Sequence, residues 1–334
     1  MKHPVAIGID LGGTNLRTAI VDLDGLIVAR SDQPTLADRG FEAVIADIVA
    51  SVDALIGGAS VDRGGIAGVG LCTPGPLDLR EGRIIHAANL PGWRNVPIRN
   101  ALKERLHLPV ALENDGNAAA LGEYRAGAGR GCDPLVMLTL GTGVGAGVIL
   151  NGRILHGHFD NAAELGHMIV VVNGLPCPCG QRGCLERYAS ADAVVRRVLD
   201  ADQNRDRHGA VNLSRDREGA VYPSRERERA DLPLRAEDVA QGAVAGDPLC
   251  RRVWDEACLY LAVACVNIQH AFNPAKIVLG GGMSLVGKPL LDGVRKFLRA
   301  QAWSLHHDVP AIELSSLGGD AGLIGSAALV LDLR

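Results

Sequence analysis

Residues 10–15 read Asp10-Leu11-Gly12-Gly13-Thr14-Asn15, and residues 141–147 read Gly141-Thr142-Gly143-Val144-Gly145-Ala146-Gly147. Each stretch follows an apolar run, residues 5–10 in the first case and 135–140 in the second, and each leads into another apolar run. The pattern predicts strand, glycine turn, strand, twice in one chain. Glycines let a backbone turn come close to a phosphate, whose oxygens exposed N–H groups and a Thr hydroxyl then cradle. Asp10, ending the first strand, is placed to hold a water on Mg²⁺. Neither loop is a Walker A, because the lysine and its spacing are missing, and neither opens a helix as a dinucleotide turn must. One Gly-Gly turn alone is an ordinary hairpin. Two of them, one in each half of the chain, predict a grip on a triphosphate from both sides. A third glycine run, Gly280-Gly281-Gly282-Met283, ends an apolar strand at residues 276–279 and offers a place for the nucleoside.

Outward from these loops the periodicity alternates between strand and helix. After strands at 17–22 and 26–30, joined by the Asp24-Gly25 hairpin signal, residues 41–56 carry apolar side chains at helical spacing. Strands are expected at 66–71 and 109–112, and an alanine-rich helix at 116–126. A second strand set at 135–140 and 145–150 is followed by helices at 191–199, 236–243 and 248–271. The chain closes with a strand at 276–279, a helix at 289–300, a strand at 312–314 and a helix at 321–331. Strand-rich blocks followed by helices thus occur twice, the pattern of two α/β lobes with a cleft between them. The smaller lobe is expected over residues 1–117, joined by the closing helix at 320–334, and the larger over 118–319.

The 334 residues suit two domains, and 47% apolar with 22% charged content excludes a disordered or collagen-like chain. Forty-two glycines are nearly twice the ordinary share. Lys and Arg number 34 against 38 Asp and Glu, a net charge of −4, and aromatic content is 3%. A mild acidic balance without stacking surface argues against a nucleic-acid partner. Asn267, Gln269, His270, Asn273 and Pro274 interrupt residues 257–275, one of the two longest uncharged stretches, so a buried helix is expected there and no membrane partner. The opening Met1-Lys2-His3-Pro4 lacks the marks of a secretory signal, and a cytoplasmic location is expected. Residues 200–231 are dominated by Arg, Asp, Glu and Ser and hold an imperfect repeat, Arg205 to Val211 echoed by Arg215 to Val221. Too few apolar residues offset its ordering entropy, so a disordered surface insertion is expected.

Two clusters carry chemistry. Glu113-Asn114-Asp115-Gly116-Asn117 places carboxylates where a strand hands over to a helix, a place that equally suits helix capping. His167, Cys177, Cys179 and Cys184 form H-x₉-C-x-C-x₄-C, four N/S ligands suited to a tetrahedral structural Zn²⁺. Free thiols or a Cys177/Cys179 redox pair are the alternatives.

The glycine loops resemble the phosphate and adenosine motifs of the actin-like sugar-kinase superfamily. The chain from about residue 5 to its C-terminus is similar to one branch of it, the ROK family, most closely its bacterial glucokinases. The resemblance implies an α/β, two-lobed actin-like (ribonuclease H-like) fold with a central cleft, and ATP-dependent phosphorylation of a hexose, glucose favoured, at its 6-hydroxyl. N-acylmannosamine, N-acylglucosamine and fructose kinases are the alternatives within that chemistry, and a sugar-sensing repressor is the alternative outside it. Such repressors carry a helix-turn-helix ahead of the first phosphate loop, and Asp10 lies too near the start to leave room for one. The resemblance further implies ATP with Mg²⁺ at Asp10, Gly12, Gly13, Thr14, Asn15, Gly141, Thr142, Gly143, Gly145, Gly281 and Gly282. Asp115 is implied as general base, ionised by the N-terminus of its helix. Gly75, Asn89, Asn114, Asp115, Glu164, His167 and Glu186 are implied as the sugar pocket, His167 also serving the zinc. A homodimer is implied as well. The family's G-x-A-G-E is here Asp160-Asn161-Ala162-Ala163-Glu164; if either replaced glycine needs positive φ, the loop must differ locally.

Overall fold

Apolar residues on both faces make the first strand a buried one. β1 (Val5–Leu11) turns at Gly12 into β2 (Asn15–Val21), with Leu11 opposite Leu16. β3 (Ile27–Pro34) adds antiparallel, and after α1 (Phe41–Gly58) the chain returns as β4 (Ile66–Thr73), parallel to β1. Short strands β5 (Leu77–Asp78), β6 (Arg83–His86) and β7 (Arg94–Val96) form a small sheet of their own before α2 (Ile98–Leu106) and β8 (Val110–Asn114), which pairs parallel to β4. α3 (Asp115–Ala126) follows without a loop.

The second block repeats the scheme. β9 (Leu135–Leu140), β10 (Val144–Leu150) and β11 (Arg153–Ile154) form the antiparallel part. Helices α4 (Glu186–Ala189), α5 (Ala191–His208), α6 (Ala236–Ala245) and α7 (Pro248–Phe272) precede β12 (Lys276–Gly280). α8 (Lys288–Gln301), β13 (Ala311–Leu314) and α9 (Ala321–Ala328) complete the chain. The sheet orders, β3-β2-β1-β4-β8 and β11-β10-β9-β12-β13, are the same pattern twice. Two antiparallel pairings followed by two parallel ones in each sheet make the duplicated architecture of the actin-like fold. The computed structural model describes residues 4–59, 61–87, 89–208, 234–302 and 310–332.

α9 lies against β1 and β4, α3 against β9 and β10, and the two helices pack on each other between the sheets. Glycine makes that approach possible. A Cβ on Gly70 of β4 would lie 1.7 Å from the Ser326 carbonyl of α9, and one on Gly116 of α3 would lie 2.5 Å from the Ala146 carbonyl of β10. The first sheet buries Ile7, Ile9 and Leu71 against Val44, Ile45, Ile48 and Val52, one face of α1. The second buries Val136, Leu138 and Val148 in a core shared with Leu261, Cys265 and Ile268 of α7. Glu123 of α3 is fully buried and accepts from the N–H groups of Ala128, Ser316 and Leu317 and from the hydroxyls of Ser315 and Ser316. Its carboxylate fixes the passage from β13 to α9.

The stretch at 257–275 is mostly α7, and no described helix is long and apolar enough to cross a membrane. Of the charged segment expected at 200–231, residues up to His208 continue α5, and 209–231, with most of the repeat, lie outside the described residues. The small β5–β7 sheet and α2 were not expected from the sequence, and the last helix ends at Ala328.

Candidate active site and metal centre

The end of β8 and the start of α3 form the floor of a cavity of ≈ 580 Å³. Asn114 caps the helix: its Oδ1 accepts from Gly116 N–H at 2.9 Å and Asn117 N–H at 3.3 Å. Capping is therefore met by Asn114, and the Asp115 carboxylate is open to the cavity. Asn114 keeps its Nδ2 on the side of Gly75, where a Cβ would lie 3.7 Å from it.

Gly75, Asn89, Asn114, Asp115, Glu164, His167 and Glu186 all line this cavity, together with Gly141, Thr142, Gly143, Gly145 and Gly281. Residues as distant in sequence as Gly75 and Gly281 converge on this one cavity. Asn161 and Ala162 also line the cavity without having been singled out. Asp10, Gly12, Gly13, Thr14, Asn15 and Gly282 are not among the lining residues. The first loop is closed by Gly12 N–H donating to the Asn15 carbonyl at 2.9 Å, and the second by Gly141 N–H to the Gly143 carbonyl at 2.9 Å. Gly281 has φ 79 and approaches the end of β9 so closely that a Cβ would lie 2.6 Å from Leu140 backbone atoms.

Carboxylates crowd the site. Burial pushes the Asp10 carboxyl up to about 6, the charge of Asp115 adds to the rise, and Arg17, at 3.7 Å, opposes it. Asp115 is itself raised, desolvation within the cavity being the leading cause; the Gly116 N–H at 2.9 Å pulls the other way. The helix N-terminus was expected to keep Asp115 ionised, and its N–H groups act in that direction, against desolvation. Glu164 is raised for the same reason, with His167 lowering it and Asp115 and Glu186 adding to the rise. Mutual repulsion of this kind is relieved by cations and by hydroxyl donors, and it marks a site built to receive them.

Asp160 and Ala163 both take left-handed backbone, φ 59 and φ 65. The loop keeps the turn that glycine would favour, and each non-glycine residue there costs about 1–2 kcal/mol. Glu186, in α4, is buried and accepts from Val144 N–H at 3.1 Å. Glu113 was quoted in the sequence motif without a role, and His156 belongs to none of the motifs quoted there. The structure brings them together, His156 Nε2 lying 2.7 Å from Glu113 Oε2.

His167, Cys177, Cys179 and Cys184 bring one ligand atom each within 4.8 Å of one another. Cys179 Sγ lies 3.6 Å from Cys184 Sγ, and Cys177 Sγ lies 3.7 Å from His167 Nδ1. A tetrahedral Zn²⁺ with sulfur at about 2.3 Å and nitrogen at about 2.0 Å needs its ligand atoms about 3.5–3.8 Å apart. Burial pushes the Cys177 and Cys184 thiols up, so a cation is what would hold them as thiolates. The donor set fits the ion. No cysteine is paired in a disulfide, and Cys72, Cys258 and Cys265 are buried apart from the cluster.

The family model described as ROK matches residues 6–333. A glucokinase of Halalkalibacterium halodurans is 37% identical over 97% of this chain and 94% of its own. A ROK family glucokinase of Streptomyces griseus, solved with glucose and AMPPNP, is 33% identical, covers 98% of this chain and 99% of its own, and superposes with TM-score 0.77. A xylose repressor of Bacillus subtilis is 26% identical over 99% of this chain and 78% of its own length.

Proposed function

The chain belongs to the ROK family, and we propose that it transfers the γ-phosphoryl group of ATP to the 6-hydroxyl of a hexose, glucose first among them. The observation that carries this reading is the open Asp115 carboxylate in a cavity lined both by Gly141, Gly143, Gly145 and Gly281 and by Asn89, Glu164, His167 and Glu186. Such a wall of acceptors suits a polyhydroxylated ligand, since each carboxylate oxygen takes bonds from neighbouring hydroxyls.

In this reading the glycine loops at Gly12–Asn15 and Gly141–Gly145 hold the phosphates, Gly281 and Gly282 flank the nucleoside, and Asp10 orients water on Mg²⁺. A divalent cation relieves the strain of an Asp10 held at about 6 beside Asp115. Asn114 Nδ2, Asn89 and the Gly75 turn contact the hexose from the side of the first sheet. Asp115 orients the 6-hydroxyl and takes its proton as the sugar oxygen bonds to the γ-phosphorus and the bond to the ADP oxygen breaks. Most of the rate comes from alignment and charge neutralisation. The raised pKa of Asp115 makes it a stronger acceptor than a free aspartate. His167, Cys177, Cys179 and Cys184 would hold a structural Zn²⁺, which supplies charge and rigidity and no reaction step. With Nδ1 at the metal, His167 presents its other nitrogen to the cavity it lines.

A cytoplasmic enzyme that feeds sugar into central metabolism, assembled as a homodimer, follows from this reading. A sugar-sensing, non-catalytic protein is the second reading, favoured by the likeness to the xylose repressor. The two part in a coupled assay of purified protein with Mg-ATP against a panel of glucose, fructose, mannose and N-acyl hexosamines. The proposal expects sugar-dependent ADP release, fastest with glucose; binding of sugar with no ADP release would establish the other reading.

A further inference from the structure

Glu113 is the penultimate residue of β8 in the first sheet and is 2% exposed. No lysine or arginine pairs with it among the described residues. Its Oε1 accepts from Asn114 N–H at 2.8 Å and Asn117 Nδ2 at 3.0 Å, so it fixes the turn that delivers Asn114 and Asp115. Its Oε2 faces His156 Nε2 at 2.7 Å. His156 comes two residues after β11, at the edge of the second sheet, so the bond spans the two sheets.

His156 also starts the loop that ends at Glu164. Ala162 N–H donates back to the His156 carbonyl at 3.0 Å, closing the loop on itself. Asn161 Nδ2 reaches the Leu77 carbonyl at 3.5 Å, a second contact with the first-sheet side. This loop holds Asp160 and Ala163 in left-handed backbone, which persists only where surrounding contacts over-determine it. The charged groups around the His156 ring are Glu113 on β8 and Asp160 on its own loop, and both favour the protonated ring. A buried carboxylate oxygen without a donor is costly, and His156 faces the Oε2 that Asn114 and Asn117 leave open, so the pair constrains both partners.

We propose that His156 is a positioning residue for the acceptor sugar: by bonding Glu113 it braces the strained 156–164 loop across the cleft, at the separation that lets Glu164 and Asp115 engage one hexose. The inference rests on the kinase reading for its substrate, and its test keeps the two separable.

Four proteins are compared: wild type, His156→Leu, His156→Gln, which keeps an N–H donor in place of Nε2, and His156→Leu combined with Ala163→Gly. KM for glucose, KM for ATP and kcat are measured, with the glucose Kd by calorimetry in the presence of a non-hydrolysable ATP analogue. His156→Leu is expected to raise glucose KM and Kd about tenfold and to lower kcat, with the ATP KM unchanged. His156→Gln restores most of the sugar affinity, and Ala163→Gly restores part by relieving the loop. Unchanged glucose KM and Kd in His156→Leu, equal losses for sugar and nucleotide, or a Gln variant no better than Leu would overturn the brace. A wild type that binds glucose without phosphorylating it removes the kinase reading alone, and the Kd comparison still decides the brace. A wild type that binds no hexose removes both.

Discussion

The Glu186 carboxylate accepts a hydrogen bond from the Val144 N–H at 3.1 Å, joining the sugar wall to the second glycine loop through one buried side chain. Gly166 reinforces the joint, since a Cβ there would lie 1.9 Å from the Val144 carbonyl. On the proposed reading, the sugar and nucleotide sites therefore share this element.

Glu186→Ala is accordingly expected to raise the KM for both glucose and ATP, each about tenfold, because the Val144 N–H loses its partner as the sugar loses an acceptor. Asn89→Ala, which removes a cavity wall with no tie to the glycine loop, is expected to raise the glucose KM alone. Steady-state kinetics with each substrate varied in turn reads the difference.

Asp10 predicts a conflict between stability and function. Folding raises its carboxyl from 3.8 to about 6, so the folded state holds the proton more tightly. That stabilisation is complete below about pH 4 and is lost as pH rises through about 6. Asp10→Asn, neutral throughout, is expected to stabilise the nucleotide-free protein at pH 7.5 by on the order of 1–3 kcal/mol, with no gain at pH 4. Mg-ATP turnover is lost in the same variant. Thermal melts at the two pH values, beside an activity assay, check both halves.

The zinc cluster predicts one Zn²⁺ per chain by elemental analysis, lost in Cys179→Ser. Because His167 serves both the cluster and the cavity, the metal-free variant is expected to lose sugar affinity several-fold while binding nucleotide normally. Full glucose affinity in a metal-free variant would separate the cluster from the pocket.

Glu123 predicts a purely structural effect. Replacing it with Ala leaves several buried donors without their acceptor and is expected to cost about 3 kcal/mol or more. The denaturation midpoint falls, while glucose and ATP KM of the remaining folded protein stay near wild type.

Much of this was legible in the chain. The two glycine turns sit between strands whose apolar runs are long enough to show, and Cys177, Cys179 and Cys184 fall within one short loop, where the family resemblance joined His167 to them. The β5–β7 sheet escaped because strands of two to four residues cannot display alternation. α2 did leave a signal, Ile98, Leu102 and Leu106 four apart on one buried face, on a helix otherwise rich in charge. The pairing of Glu113 with His156 is 43 residues long and follows no spacing rule. Capping was also ambiguous until the backbone showed that Asn114, and not Asp115, ends the strand. Desolvation of Asp115 depends on distant residues that line the same cavity, which no local pattern encodes.

The central claim is that the Asp115 carboxylate is the base for transfer to a hexose hydroxyl. The most direct measurement is glucose 6-phosphate formation under Mg-ATP by wild type and Asp115→Asn, with nucleotide binding and thermal melts to show that both are folded. Wild type is expected to form product and the variant to do so at a rate lower by about 10²–10⁴, with nucleotide affinity nearly unchanged. A folded variant that forms product at a rate close to wild type would contradict it.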